Sequence, residues 1–386
     1  MKKIGIITEY YGSNNYGGVL QAYALCKVLN DMGFDSEQIS YYKSEEELRS
    51  HLMKEKLKWS VFINPIRIRR MLIAYFLQKK VFHQQERRRK SFSEFRDKIP
   101  HSEMVYDDSN LSLTNEIYDG FVVGSDQVWN PNYWHPGYTL NFVESTKTKI
   151  SYAASLGVDK LTKAQEAFFK KNIFGYKAIS VREENAISLL ENVLDTKTEL
   201  VVDPVLLLDR DFWKSVASER TIPERYIFTY FLGDSARNRE IVNSYAKNKN
   251  MKIVSLPHVG GFYRCCDEDF GDYRLSDVAP QDFLALIMNA ELVFTDSFHA
   301  VAFSTIFHKQ FFAFLRNESN EMNARLFQIT KLIHAEERFC IDEEEYELEY
   351  LISREDVCYV DNDHDLEELR ERSKDFLINS LAGQRG

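Results

Sequence analysis

Four segments of the 386-residue chain place ionisable or hydrogen-bonding side chains directly behind a short apolar run, where a strand would end. In Leu292-Val293-Phe294-Thr295-Asp296-Ser297-Phe298-His299-Ala300, Asp296 or Ser297 can cap a following helix, leaving His299 in its first turn. An imidazole titrates near neutrality and can give and take a proton, and the positive end of a helix dipole favours its neutral form. In Ala178-Ile179-Ser180-Val181-Arg182-Glu183, Arg182 offers a permanently charged planar fork that matches a carboxylate or phosphate bidentately. Adjacent helical residues do not face one another, so Glu183 is a poor partner for it. In Val122 to Asn130, Asp126 can take a proton from a hydroxyl or cap a helix, and Trp129 can pack against a ring or lie in the core. The Gly12 to Gly18 stretch, GSNNYGG, would let backbone approach a ligand closely, although its spacing matches neither dinucleotide nor P-loop motifs.

Other chemistries lack their signatures. The sequence has no H-E-x-x-H, no G-x-S-x-G and no C-x-x-C. Its five cysteines include an adjacent pair, Cys265-Cys266, with neither zinc-ligand spacing nor easy disulfide geometry, so reduced thiols are expected. No metal is expected: Asp203-Pro204 and the acidic tail could hold cations, but charge runs usually form solvated faces.

Elements must bring these strand ends together. Apolar runs at 4–8, 120–123, 150–154, 178–181 and 200–202 alternate with helical spacing at 19–32, 162–174 and 183–192. A second series places strands at 226–232, 252–256, 291–295 and 310–315, with helices at 236–248, 280–289 and 298–307. Alternation of this kind implies parallel sheets covered on both faces by right-handed crossovers. The expected fold is therefore α/β, with two doubly wound Rossmann-like lobes facing a cleft. The lobes are expected at 1–210, with a basic helical insertion at about 50–98, and at 211–386, with an acidic tail and a final helix from Asp365 to Leu381. Ligands in such sheets bind beyond the carboxyl ends of the strands.

Hydrophobic residues make up 44% of the chain, with 27 Phe and 21 Tyr, which excludes wholesale disorder. The net charge of −10 disfavours a general nucleic-acid binder, but the charge is unevenly distributed. Lys54 to Lys90 holds twelve basic and two acidic residues, whereas Glu336 to Arg370 holds fifteen acidic and three basic. The basic stretch, interleaved with Trp59, Phe62, Ile66 and Tyr75, reads either as a cationic amphipathic helix resting on anionic lipid or as a solvated insertion that can pair with the acidic tail. Ile4 to Ile7 is shorter than a signal-peptide apolar region, and the longest apolar run, Met71 to Leu77, has seven residues. A cytoplasmic protein is expected, with the inner face of the plasma membrane within reach of 54–90.

Five segments in order, NYGGVLQAYAL (15–25), GSDQVWNP (124–131), SVREENA (180–186), DPVLLL (203–208) and TDSFHA (295–300), resemble the polysaccharide pyruvyl transferase family. The resemblance implies a GT-B-like fold and transfer of a pyruvyl group from phosphoenolpyruvate onto two hydroxyls of a sugar as a cyclic ketal, with release of phosphate. The sugar belongs to a cell-surface polysaccharide or its precursor, a lipid-linked oligosaccharide among them, and phosphoenolpyruvate is a co-substrate with no further cofactor. On this resemblance the donor-binding Arg falls on Arg182 and the catalytic His on His299. Ser297 stands where many members have Arg, and Ala300 where they have Gly, so an expected anion contact is missing, and Arg264, Arg316 and Arg325 are the candidates to replace it. Ser297 and Phe298 complete the donor site, Asp126 is a base or hydroxyl positioner, and Asn15, Tyr16, Gly17, Gln127 and Trp129 are assigned to the acceptor. The alternatives are a GT-B-type glycosyltransferase using a nucleotide-sugar donor and a non-catalytic scaffold in polysaccharide assembly.

Overall fold

Lys3–Ile7 forms β1, buried at four of its five positions, and pairs in parallel with β2 (Asp35–Tyr41) on one side and β4 (Gly120–Val123) on the other. With β3 (His101–Tyr106) and β5 (Thr148–Ser151) the first sheet has the order β3-β2-β1-β4-β5. Backbone bridges Ile150–Ala178 and Ala154–Val181 attach the pair β6 (Ile179–Val181) and β7 (Thr198–Leu200) to its far side. In the computed structural model the described residues are 1–42, 83, 85–132, 134–257, 264–316, 323–341 and 347–382. Most of the basic stretch, 54–82, therefore lies outside the described residues.

The second sheet repeats the pattern. Its order is β10-β9-β8-β11-β12-β13, from Tyr273–Arg274, Lys252–Ser255, Tyr226–Tyr230, Leu292–Thr295, Phe311–Phe314 and Phe339–Cys340, all parallel. The central strands β8, β11 and β12 are buried at every position, as expected of strands covered on both faces. Both sheets thus have a doubly wound order in which the strand sequence reverses beside the first strand of the lobe.

Local chemistry sets the helix limits. The Asn15 side chain accepts the Gly17 N–H at 3.0 Å and starts the helix Tyr16–Asp31, which ends at Gly33 with φ +88°. Thr162 and Gln165 cap Lys163–Asn172 reciprocally, and Ser235 caps Ala236–Lys249, which closes on Asn250 in the left-handed region. The edge strands β3, β10 and β13 and the helix Ala324–Leu332 add to the alternation expected from sequence, and the helix at 85–96 falls within the basic helical insertion expected at about 50–98.

One apolar core runs through both lobes: Ile4, Leu25 and Val202 of the first belong to the same cluster as Phe228, Phe283 and Phe303 of the second. Tyr16 crosses between them. Its ring stacks on Phe283 with centroids 4.4 Å apart, and its hydroxyl donates to the Val278 carbonyl at 2.9 Å. The described end of the basic stretch joins this junction, because Arg88 is buried with its guanidinium 4.4 Å from the Tyr16 ring. That one cation of the basic stretch is packed inside the junction rather than on a solvated or lipid-facing surface.

The final helix, Tyr359–Leu381, also departs from expectation. It was assigned to the second lobe but packs on the first: the Val202 N–H donates to Ser373 Oγ at 3.0 Å, Arg370 Nε to the Leu206 carbonyl at 2.6 Å, and Lys2 Nζ to the Leu381 carbonyl at 3.0 Å. Its buried Leu369, Phe376, Leu377 and Leu381 need an apolar partner, and Tyr152 meets Phe376 there. Among the described residues no helix is long and apolar enough to cross a membrane.

Candidate functional site

The polar strand ends of both lobes converge on Asp203. This residue follows β7, caps the short turn Pro204–Leu207, and is fully buried. One carboxylate oxygen, Oδ1, accepts the Val205 N–H at 3.1 Å; the other, Oδ2, accepts from Ser125 Oγ at 2.9 Å and from Arg182 Nη1 at 2.5 Å. Nε2 of His299, from the opposite lobe, stands 3.5 Å from the same Oδ2, too long for a strong hydrogen bond but within ion-pair range. Burial alone would raise the Asp203 carboxyl, but the charges of His299 and Arg182 and the Val205 amide outweigh it and hold the pKa below the usual carboxylate value.

Arg182, directly after β6, is buried and lies with its guanidinium 4.4 Å from the Phe298 ring of the other lobe. Burial would lower its pKa, but the nearby carboxylates of Asp203, Asp126 and Glu183 raise it further. Glu183 turns elsewhere, accepting from Ser155 Oγ, as the poor geometry of neighbouring side chains anticipates.

His299 occupies the first turn of the helix Phe298–Ile306, as expected. The expected cap is absent: neither Asp296 nor Ser297 caps the helix through its side chain. Asp296 instead reaches back across the sheet, accepting the Leu232 and Gly233 amides at 2.6 and 2.7 Å, and burial raises its pKa despite Arg316 and those amides. Ser297 is buried, and its N–H donates to Thr295 Oγ1 at 3.0 Å. On the first-lobe side, a Cβ added to Gly17 would fall 2.0 Å from His299 Nδ1. The imidazole is thus held between the Gly17 backbone and the Asp203 carboxylate.

Of the three arginines that could supply the missing cation, Arg325 shares the Asp126 carboxylate with Arg182. It is buried, with Nη1 3.8 Å from Asp126 Oδ1 and Nε 4.0 Å from Glu183 Oε1. With the Gln127 amide oriented toward it, that oxygen accepts from Arg325 Nη2 at 2.7 Å and Nη1 at 3.2 Å. Burial and the like charges of Arg182 and Arg316 lower the Arg325 pKa to about 10. Arg316 donates to the Asp296 carbonyl at 3.1 Å, and Arg264 to the Gly233 carbonyl at 3.1 Å, so both are engaged by the turns behind β8 and β11. Asp126 does not cap a helix. It stands in a turn with φ +67°, a conformation rare outside glycine, and its Oδ1 lies 3.6 Å from Arg182 Nη2.

Three of the residues assigned to the acceptor have other settings. Trp129 is buried in the first lobe and donates through Nε1 to the Tyr138 carbonyl at 3.1 Å, so its faces are unavailable to a sugar. Tyr16 is the inter-lobe wedge, and Asn15 is exposed and occupied as a helix cap. Gly17 and Gln127 do reach the site, through His299 and Arg325. Asp203, Ser125 and Glu183 join the site in roles that the sequence does not assign them, although Asp203 follows an apolar strand just as His299 and Arg182 do. Among the described residues, no three His, Cys, Asp or Glu side chains group closely enough to hold a metal ion.

Known proteins bear on this geometry in two ways. A putative UDP-N-acetylglucosamine 2-epimerase from Listeria monocytogenes superimposes with a TM-score of 0.50 at 10% identity, covering 98% of this chain and 95% of that one. The S. aureus MnaA-UDP co-structure gives 0.52 at 12% identity, covering 98% and 95%, and a glycosyltransferase from Rickettsia africae 0.50 at 12%, covering 99% and 94%. At such identities these likenesses establish the fold alone, which is GT-B-like. Among curated proteins none matches the chain. The family model for polysaccharide pyruvyl transferase matches residues 15–318, a stretch that contains Gly17, Asp126, Arg182, Asp203 and His299. The chain belongs to the polysaccharide pyruvyl transferase family.

Proposed function

We propose that the protein transfers a pyruvyl group from phosphoenolpyruvate to a sugar of a cell-surface polysaccharide or its precursor, as a cyclic ketal. The observation that carries this reading is the buried Arg182, whose Nε and Nη2 find no hydrogen-bond partner, standing across the shared Asp203 from His299. A small anion with several acceptor oxygens would satisfy such a fork, and an imidazole beside it can exchange protons with that anion.

The reaction balances with these groups. Protonated His299 gives its proton to the methylene carbon of the donor, and positive character builds at the adjacent carbon. A sugar hydroxyl attacks that carbon and returns a proton to His299, and the carbon–oxygen bond to phosphate breaks. The second hydroxyl closes the ring as its proton leaves with the phosphate. Asp203 steadies the imidazolium and fixes its orientation, Arg182 binds donor oxygens, and the uncapped amides at Phe298 add a partial positive charge. Each proton transfer by a positioned side chain typically contributes about 10²- to 10⁴-fold.

Purified protein is to be incubated with a pool of sugar acceptors and either phosphoenolpyruvate or nucleotide-sugars. Phosphate release together with a pyruvyl adduct by mass is expected from the first donor. A hexose adduct from a nucleotide-sugar, with nothing from phosphoenolpyruvate, would overturn the proposal in favour of a glycosyltransferase. The His299→Ala variant is expected to lose turnover about 10²-fold or more with donor affinity little changed, and Arg182→Lys to bind donor about tenfold more weakly.

A further inference from the structure

Buried polar atoms without a hydrogen-bond partner gather where the lobes meet: Nε and Nη2 of Arg182, Nε of Arg325, Nε of Arg316 and Oε2 of Glu183. Native interiors seldom leave such groups unsatisfied, and charged ones least of all. Between two of these guanidinium groups lies the Asp126 carboxylate, with Oδ1 3.6 Å from Arg182 Nη2 and 3.8 Å from Arg325 Nη1. Both distances exceed the roughly 3.2 Å limit of a good N–H···O bond. Asp126 neutralises the two cations but leaves Nε and Nη2 of Arg182 and Nε of Arg325 without a hydrogen bond, and it does so from a backbone conformation that L-residues rarely adopt.

We propose that Asp126 is a built-in stand-in for a ligand anion: a carboxylate or phosphate displaces it and takes hydrogen bonds from both Arg182 and Arg325. The fork of Arg325 is held for this by the Gln127 carboxamide, next in sequence to the displaced residue. Burial and then the like charges of Arg182 and Arg316 lower the Arg325 pKa, and an entering anion would offset that penalty on the charged form. Arg325, at the start of the helix Ala324–Leu332, thereby provides the cation that Ser297 does not. Asp126 then acts as a competitor that weakens anion binding. The inference deepens the donor-site reading above and rests on it for the anion's identity, but its test does not require turnover.

Inorganic phosphate and pyruvate are to be titrated separately into the full chain by calorimetry, comparing the wild type with Asp126→Asn, Arg325→Gln and Arg325→Lys. Asp126→Asn is expected to bind at least one probe about tenfold more tightly, because a competing charge is removed. Arg325→Gln is expected to weaken the same probe about tenfold, and Arg325→Lys, which keeps the charge but loses the fork, to fall between. The probe that responds tells whether the shared site takes the phosphate or the carboxylate. Unchanged or weaker binding of both probes to Asp126→Asn overturns the proposal, as does failure of both probes to bind any of the four proteins. If the probes respond in the expected order while no sugar is pyruvylated, the anion site stands and the reaction assignment falls.

Discussion

At the scale of single residues the site depends on two close fits around His299. A methyl group at position 17 would meet the imidazole at 2.0 Å, far inside van der Waals contact, and backbone on one side leaves the ring to yield. Gly17→Ala is therefore expected to lower turnover about 100-fold through misplacement of the imidazole, while overpacking lowers stability by about 1–3 kcal/mol. Steady-state kinetics alongside thermal melting checks both. Asp203 gives a pH signature. Its folded pKa lies below the ordinary value of 3.8, so the stabilisation it provides is present above pH 4 and is lost as pH falls through the folded value. Asp203→Asn strands Arg182 and should cost about 3–5 kcal/mol near neutrality. Melting curves should show that deficit narrowing below about pH 4, and a constant difference would contradict the assignment. His299 and Arg182 were legible in the sequence because each follows an apolar run and carries a distinctive functional group. The part Asp203 plays was not, because Asp before Pro reads as a turn or a solvated carboxylate, and its setting depends on Ser125 and His299, distant in sequence.

At the scale of elements, alternation of apolar runs with helical spacing located nearly all central strands within a residue or two, because strands covered on both faces are almost uniformly apolar. The edge strands escaped for the opposite reason. His101–Tyr106 is exposed at four of its six positions, and Tyr273–Arg274 and Phe339–Cys340 have two residues each. Aromatic residues were misread where tertiary packing decided their fate: nothing local distinguishes Tyr16 or Trp129 as core from the same rings facing a ligand. The Tyr16 wedge should be worth measuring. Tyr16→Phe removes one buried hydrogen bond to Val278 and is expected to lower stability by about 1 kcal/mol, whereas Tyr16→Ala empties a cavity between lobes at about 3–5 kcal/mol. Denaturant unfolding monitored by circular dichroism distinguishes the two.

At the scale of the whole molecule, several interactions that build the site cross between lobes: Asp203 to His299, Arg182 to Phe298, and Arg325 to Asp126, Gln127 and Glu183. The shared core does the same, so calorimetry is expected to show a single cooperative transition, and two separated transitions would show that the lobes unfold independently. The helix Tyr359–Leu381 extends this interdependence along the chain, since its seat is formed by Tyr152, Val202 and Leu206. During synthesis, the lobe made first is therefore the one completed last. Its unfinished surface stays open while the following 150 or so residues are threaded out at about 5–20 per second, and holdase chaperones have that interval in which to act.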